Sequence, residues 1–310
     1  MKHLPALVAL LVVAGVLVAL PFLISDYNVS LVAQVGIFFI AVLGLNILTG
    51  YTGQISIGHG AFMAIGGYTT AVMSRDHHTN LVVTMLMAFA ICFVVGLLVG
   101  LPALRLSGVY LALVTFALAI SIPQIPLKYS KFLGGSGGVQ SAETVSNLWI
   151  YVAAWTASGV LFVLAWLILR GRIGRAFRAV RDSEIAAVAS GVELPVYKTL
   201  AFGVSAAYAG VAGSLFVLAT NGFAQPSEFD VFLSLELLIG AAIAGLGSLW
   251  GILAGAAFVA LLPQISTDVP VIGAEHGRDV VFGAAVILVM LLLPDGFAGL
   301  LARLRRLARA

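Results

Sequence analysis

Residues 170–198 read Arg170-Gly-Arg-Ile-Gly-Arg-Ala-Phe-Arg-Ala-Val-Arg181-Asp-Ser-Glu184-Ile-Ala-Ala-Val-Ala-Ser-Gly191-Val-Glu-Leu-Pro195-Val-Tyr-Lys198. This is the only long charged segment of the chain, and apolar runs flank it on both sides. A basic loop between two apolar spans is expected on the cytoplasmic face of a membrane. Its second half has the grammar of a short helix. Asp182 can cap it, and Glu184 places negative charge in its first turn. Gly191 can end it in a left-handed conformation, and Pro195 is expected to prevent it from resuming. The pattern predicts a helix of about two turns, presented from the membrane surface to the cytoplasm. Arg172, Arg175, Arg178 and Arg181 precede it at a spacing of three, a slowly spiralling basic stripe on a helix. Such a stripe can anchor on lipid phosphates, or it can belong to a docking element together with the capped helix.

The rest of the chain is membrane-like. Of its 310 residues, 61% are hydrophobic and only 9% charged, against about 25% charged in a soluble domain. Apolar runs of about twenty residues recur. The expected fold class is an all-α polytopic membrane protein, a single transmembrane domain over 1–310. The 34 glycines suit helices that approach closely. Cys92 is the single cysteine, which excludes a disulfide framework and a cysteine metal site. The net charge of +3 is small; in this class basic residues report orientation rather than a nucleic-acid partner.

Hydropathy predicts about ten spans, some short or broken, near 5–24, 31–49, 56–74, 81–102, 109–127, 147–169, 198–220, 230–246, 250–263 and 279–294. The run from 5 to 24 is longer than the 7–15 apolar residues of a signal peptide and reads as a span. As one helix, 230–263 would be about 50 Å long at ~1.5 Å per residue, against a hydrocarbon core of ~30 Å. Gly245-Leu-Gly247-Ser248-Leu-Trp-Gly251 can break it into two short or tilted helices. With both termini inside, this count puts Lys2, Arg105, the 170–198 cluster and the basic tail 301–310 (Arg303, Arg305, Arg306, Arg309) on the cytoplasmic side. Arg75, Lys128, Lys131 and Arg278 fall outside.

The segment 44–60 is rich in glycine and polar residues between two apolar runs. It is either a cytoplasmic turn or broken backbone at membrane depth, which is tolerated where it lines a cavity or is buried in protein. Asn46, Gln54, Ser56, Gly58 and His59, with Tyr68 further on, offer amide, hydroxyl and ring groups for the path of a polar solute. Small-residue packing is the plainer alternative. Glu236 is the acidic residue placed well inside a span, where a carboxylate suggests function; it lines a pore or serves packing. Gly245, Gly247 and Ser248 join the candidate path. Gly134-Gly-Ser136-Gly-Gly138 matches G-x-S-x-G, but the required strand-to-helix context is not expected. Asp76-His77-His78 reads as a solvated turn, and His59 has no second ligand at metal spacing. The chain lacks a P-loop of its own.

Gly50-Tyr-Thr-Gly-Gln-Ile-Ser-Ile-Gly-His-Gly60, Gly134-Gly-Ser-Gly-Gly-Val139, Glu184-Ile-Ala186-Ala187…Gly191, Ala244-Gly-Leu-Gly-Ser-Leu-Trp-Gly251 and Pro294-Asp-Gly-Phe-Ala-Gly-Leu300 together resemble branched-chain amino-acid ABC transporter permeases of the M-type (LivM-like). The resemblance runs in order from about residue 30 to 300. It implies a multi-pass subunit of the bacterial inner membrane, without a cofactor and not itself an enzyme. Its partners would be a homologous H-type permease, two P-loop ATPase subunits and an extracytoplasmic solute-binding protein. It also implies that Glu184, Ala186, Ala187 and Gly191 form the helix that couples to the ATPases; the basic stripe and the helix-end signals add Arg178, Asp182 and Pro195 to this candidate coupling element. Urea and short-chain amide permeases resemble the same family, so the solute stays open. An ion-coupled secondary transporter using Glu236 or His59 is the competing class.

Overall fold

The computed structural model describes residues 20–21, 23–106, 108–142, 145–267, 277–293 and 296–300. In chain order its helices are α1 (Asp26–Leu45), α2 (His59–His77), α3 (Leu81–Ala103), α4 (Val109–Ser121), α5 (Gln124–Lys128), α6 (Ser130–Leu133) and α7 (Asn147–Arg170). Then follow α8 (Arg172–Asp182), α9 (Glu184–Ala189), α10 (Leu194–Ala219), α11 (Val231–Ala244), α12 (Ile252–Thr267) and α13 (Gly277–Leu292). Helix starts follow local chemistry. The side chains of Asn80, Ser146 and Asp230 each accept a hydrogen bond from a backbone N–H one turn into α3, α7 and α11.

Helices α1 and α10 form the centre. Almost every α10 residue from Ala201 to Leu218 is buried, against α1, α2 and α3. A helix apolar on all sides is buried on all sides, and its many small residues let neighbours come close. A Cβ on Gly66 of α2 would run into the Gly210 carbonyl, and one on Gly213 into the Met63 carbonyl. Hydroxyls add polar bonds between helices: Ser158 to the Gly36 carbonyl at 2.8 Å, Tyr208 to the Leu161 carbonyl at 2.8 Å, and Thr70 with Ser214 at 2.6 Å. Helices α3, α4 and α7 turn apolar side chains such as Leu86, Leu113 and Val163 outward.

Among the described residues, five helical stretches are long and apolar enough to cross a membrane: Asp26–Tyr51, Leu81–Ala103, Val109–Lys128, Asn147–Arg170 and Leu194–Ala219. The predicted spans from 31–49 onward each find a helix, with shifted limits. The 56–74 span begins at His59 because the chain before it is not helical. The 230–263 stretch is two short helices joined through 245–251, as its length requires. Pro195 does not keep the chain from a helix. It occupies the first turn of α10, where its missing N–H costs nothing, so that helix starts at Leu194 rather than 198. The span at 5–24 falls almost wholly outside the described residues, as do the tail 301–310 and Pro294-Asp295.

The molecule has two distinguishable ends. At one, β1 (Val139–Gln140) pairs antiparallel with β2 (Phe223–Ala224), and Ser141 bonds Ser74 at 2.7 Å. At the other lie α8, α9 and two glycine-rich breaks in the helical scaffold.

Candidate functional site

The first break follows α1. The helix widens into a π-helical turn, Asn46–Tyr51, and the chain then runs without helix from Gly53 until α2 starts at His59. Thr52, Gln54, Ser56 and His59 are buried, while Gly53 and Ile55 between them are exposed. Residues 44–52 are buried throughout. Several polar groups of this segment are bonded, whereas Gln54 Oε1 and His59 Nδ1 are buried without a hydrogen-bond partner among the described residues. Thr49 donates to the Gln54 carbonyl at 3.1 Å, Thr52 to the Leu48 carbonyl at 2.5 Å, and Ile57 N–H to Thr115 Oγ1 at 3.0 Å.

The second break joins α11 to α12 at 245–251. Asn46 holds it against the first: its Nδ2 donates to the Ser248 carbonyl at 2.7 Å, and its Oδ1 accepts from Gly247 N–H at 2.8 Å. Gly50 allows this approach, since a Cβ there would meet both the Asn46 side chain and the Gly247 backbone. Gly247 itself has φ +78°, which favours glycine.

The helical segment beyond α7 leans on this seam. In α8, Gly174, Ala176, Phe177 and Val180 are buried while Arg172 and Arg175 are exposed. Arg178 turns back to the Leu169 carbonyl at 3.2 Å, holding α8 to the end of α7. Arg181 donates to the Gly50 carbonyl at 2.9 Å. Asp182 is not the cap of α9 but the last residue of α8. Ser183 caps instead, accepting from Ala186 N–H at 3.3 Å, because its extended backbone fits the capping position. The end of α9 is as expected: Gly191 has φ +81°, and Val192 N–H returns to the Ala187 carbonyl at 2.9 Å. Ala187 is buried beneath the helix, while Ala186 lies on its exposed side. Ile185 is 86% exposed and Val188 55%. Glu184 pairs at 2.6 Å with Lys198, a lysine in the second turn of α10 that is only 4% exposed.

The predicted path residues separate into two groups. Asn46, Gln54, Ser56, Gly58, Gly245, Gly247 and Ser248 belong to the seam and its surroundings. His59 is fully buried, its Nε2 at 2.8 Å from Ser205 Oγ. Ser205 spends its own proton on the Gly44 carbonyl at 2.6 Å, so His59 Nε2 is the donor in that bond. Tyr68 lies nearer the β1–β2 end, its ring 6.3 Å from that of Phe229. Glu236 stands apart from the seam. It lines a cavity of about 800 Å³ between α1, α10, α11 and α12, with Gln34, Glu228 and Gln264 as polar lining and Phe38, Phe216, Ile239 and Val259 as apolar lining. The Glu228 carboxyl, in the turn before α11, is pushed above its ordinary value by burial.

Of the remaining motifs, Gly134–Gly138 reads as expected, whereas Asp76 and His77 are the exposed last residues of α2 rather than part of a turn. A helix precedes Gly134–Gly138 and a strand follows, the reverse of a nucleophile elbow. Asp76 pairs with Arg75 at 2.6 Å, and His78 takes a left-handed conformation that ends α2.

A helical chain with a buried central pair of helices, two glycine-rich breaks and a short capped helix at the end of the basic segment matches a known family model. Residues 27–291 match the permease component of branched-chain amino acid transport systems. The chain belongs to this family. The high-affinity branched-chain amino acid transport system permease protein LivM of Salmonella typhimurium is 29% identical, over 94% of this chain and 73% of that protein. The probable branched-chain amino acid transport permease protein LivM of Methanocaldococcus jannaschii is 23% identical, over 66% of this chain and 72% of that protein. The LivH permease protein of Escherichia coli is 23% identical, over 84% of this chain and 91% of that protein. No solved structure matches the chain.

Two residues of this permease's seam were absent from the sequence-derived site. Arg181 falls seven residues after Gly174 and four after Phe177, so helical periodicity alone places it with the buried face of α8. For Lys198 no such signal exists; its pairing depends on how α9 folds back against α10.

Proposed function

We propose that this permease is one half of the translocation path of an ABC importer for branched-chain amino acids, in the bacterial plasma membrane with both termini cytoplasmic. A homologous H-type permease would supply the other half, two P-loop ATPase subunits the energy, and an extracytoplasmic binding protein the solute. The single transmembrane unit would itself hydrolyse nothing. The observation that carries this reading is α9: a capped, exposed helix that offers Ile185 and Val188 to a partner. Burying each such side chain in a partner groove is worth about 1.5–3 kcal/mol. Helix α9 would be the coupling helix, held at its start by Ser183 and Glu184 and at its end by Gly191. Arg178 would fix the platform beneath it.

In this account the Glu236 cavity is the outer vestibule, and the seam around Gly50, Gln54 and Gly247 closes the inner end. ATP-driven closure of the ATPase pair would move α9 and rock the helices between outward and inward access. The names of the relatives favour leucine, isoleucine and valine over urea or short amides. The test is uptake of radiolabelled leucine into proteoliposomes holding both permeases, the ATPases and the binding protein. Uptake that needs ATP and the binding protein supports the proposal. Accumulation by this chain alone under an ion gradient would replace it with a secondary transporter, and Glu236 and His59 would then be the coupling candidates.

A further inference from the structure

Arg181 sits where α8 ends and is separated from the α9 cap, Ser183, by one residue. Its Nη1 reaches the Gly50 carbonyl of the first break at 2.9 Å. Its guanidinium also lies against Gly247 of the second break, closely enough that a Cβ there would collide with it. Its aliphatic stem covers Gly53, which has φ +72°. Three glycines from two separate breaks thus meet one side chain. Asn46 already joins the breaks to each other, through Gly247 N–H and the Ser248 carbonyl.

We infer that Arg181 is the positioning residue that ties the short helix to both breaks, so that the two move as one inner gate when α9 is displaced. The chemistry suits arginine. A planar fork of five N–H donors can hold a carbonyl on one side while its stem packs on another segment; a lysine ammonium is a point charge without that reach. The breaks are the parts of the scaffold able to respond: 53–58 lie outside helix without a hydrogen-bond ladder of their own, and Gly50 lies in the π-helical turn that precedes them. Only Asp182 separates Arg181 from Ser183, the cap of α9, so a push on α9 reaches Gly50 through a short stretch of chain. The inference rests on the proposed ATP-driven import for its role in transport, but the latch itself does not.

The test uses the full chain within its native complex, with Thr52→Cys in a Cys92→Ala background. Thr52 is 3% exposed and lines a small cavity together with Arg181. A membrane-impermeant maleimide, applied from the face that carries α9, reports whether the seam opens. Arg181→Ala is expected to raise the labelling rate about tenfold, the effect of losing one charged hydrogen bond. It is also expected to lower the amino acid taken up per ATP hydrolysed, while ATP hydrolysis continues. Arg181→Lys should fall between Ala and the parent chain, and decides alone if Arg181→Ala does not insert. Unchanged labelling overturns the latch. Faster labelling with unchanged uptake per ATP overturns its role in transmission. Labelling requires no ATP, so failure of the import reading and failure of the latch give different results.

Discussion

Replacing Glu184 with glutamine removes the carboxylate 2.6 Å from the Lys198 ammonium. Lys198 is 4% exposed and Glu184 44%, so the pair lies between two regimes. Exposed pairs contribute about 0.2–1 kcal/mol, and breaking a buried pair costs about 3–5 kcal/mol. With one partner buried and the other half in water, a cost near 2 kcal/mol follows, roughly thirtyfold in the equilibrium that docks α9 on α10. Hydrogen exchange reads this directly. The Ser190 and Val192 amides, bonded to the Ala186 and Ala187 carbonyls, should exchange roughly thirtyfold faster in Glu184→Gln. Pairing that variant with Lys198→Met should recover most of the protection, because no buried charge is then left alone. Raising salt from about 0.1 M to about 1 M should shrink the difference, since screening acts on the exposed partner. Exchange within about twofold of the parent chain, or a double variant no better protected than Glu184→Gln, would refute the claim that this ion pair holds α9 in place.

Gly191→Trp forces a non-glycine residue into a left-handed conformation at about 1–2 kcal/mol, yet nothing lies within 4 Å of its added Cβ. The variant should therefore insert normally and lose ATP-driven uptake, as should Glu184→Lys, which sets like charge against Lys198; normal uptake in both would remove α9 from the coupling role. Gly213→Val drives a side chain into the Met63 carbonyl and should lower stability by about 1–3 kcal/mol or more, seen as a drop in the thermal unfolding midpoint; an unchanged midpoint would mean that α2 and α10 are not closely apposed. At Glu228, burial raises the carboxyl, so the folded state holds its proton more tightly than the unfolded chain does. Its contribution is therefore favourable at low pH and is lost as pH rises through the raised value. Midpoints measured from about pH 4 to pH 7 should show Glu228→Gln gaining on the parent chain as pH rises; parallel curves would contradict the burial argument.

Much of this arrangement was legible in the residues. The breaks at 50–58 and 245–251 were visible because glycine runs interrupt apolar stretches, and chain length against membrane thickness required the second to turn. The end of α9 was visible because Gly191 has one strong use at a helix terminus. Its start was misread by one position. Asp182 and Ser183 are both good caps, and the choice depends on where α8 stops, which is a matter of packing. What sequence could not supply was pairing across distance. Asn46 with Ser248, His59 with Ser205 and Lys198 with Glu184 are set by the helix arrangement, not by any local pattern. For that reason the predicted path residues appeared as one group in the sequence, whereas the structure places most of them at the seam, Glu236 in its own cavity and Tyr68 nearer the β1–β2 end.

The central claim is that this permease is driven through α9 by subunits that it does not itself contain. Purification of the tagged chain from its native membranes, with mass-spectrometric identification of everything that accompanies it, tests this most directly. The account predicts recovery of two P-loop ATPases and a second, related permease, with the ATPases lost when Ile185 and Val188 are both replaced by aspartate. Recovery of the chain alone, monodisperse and competent to accumulate solute under an ion gradient, would contradict it.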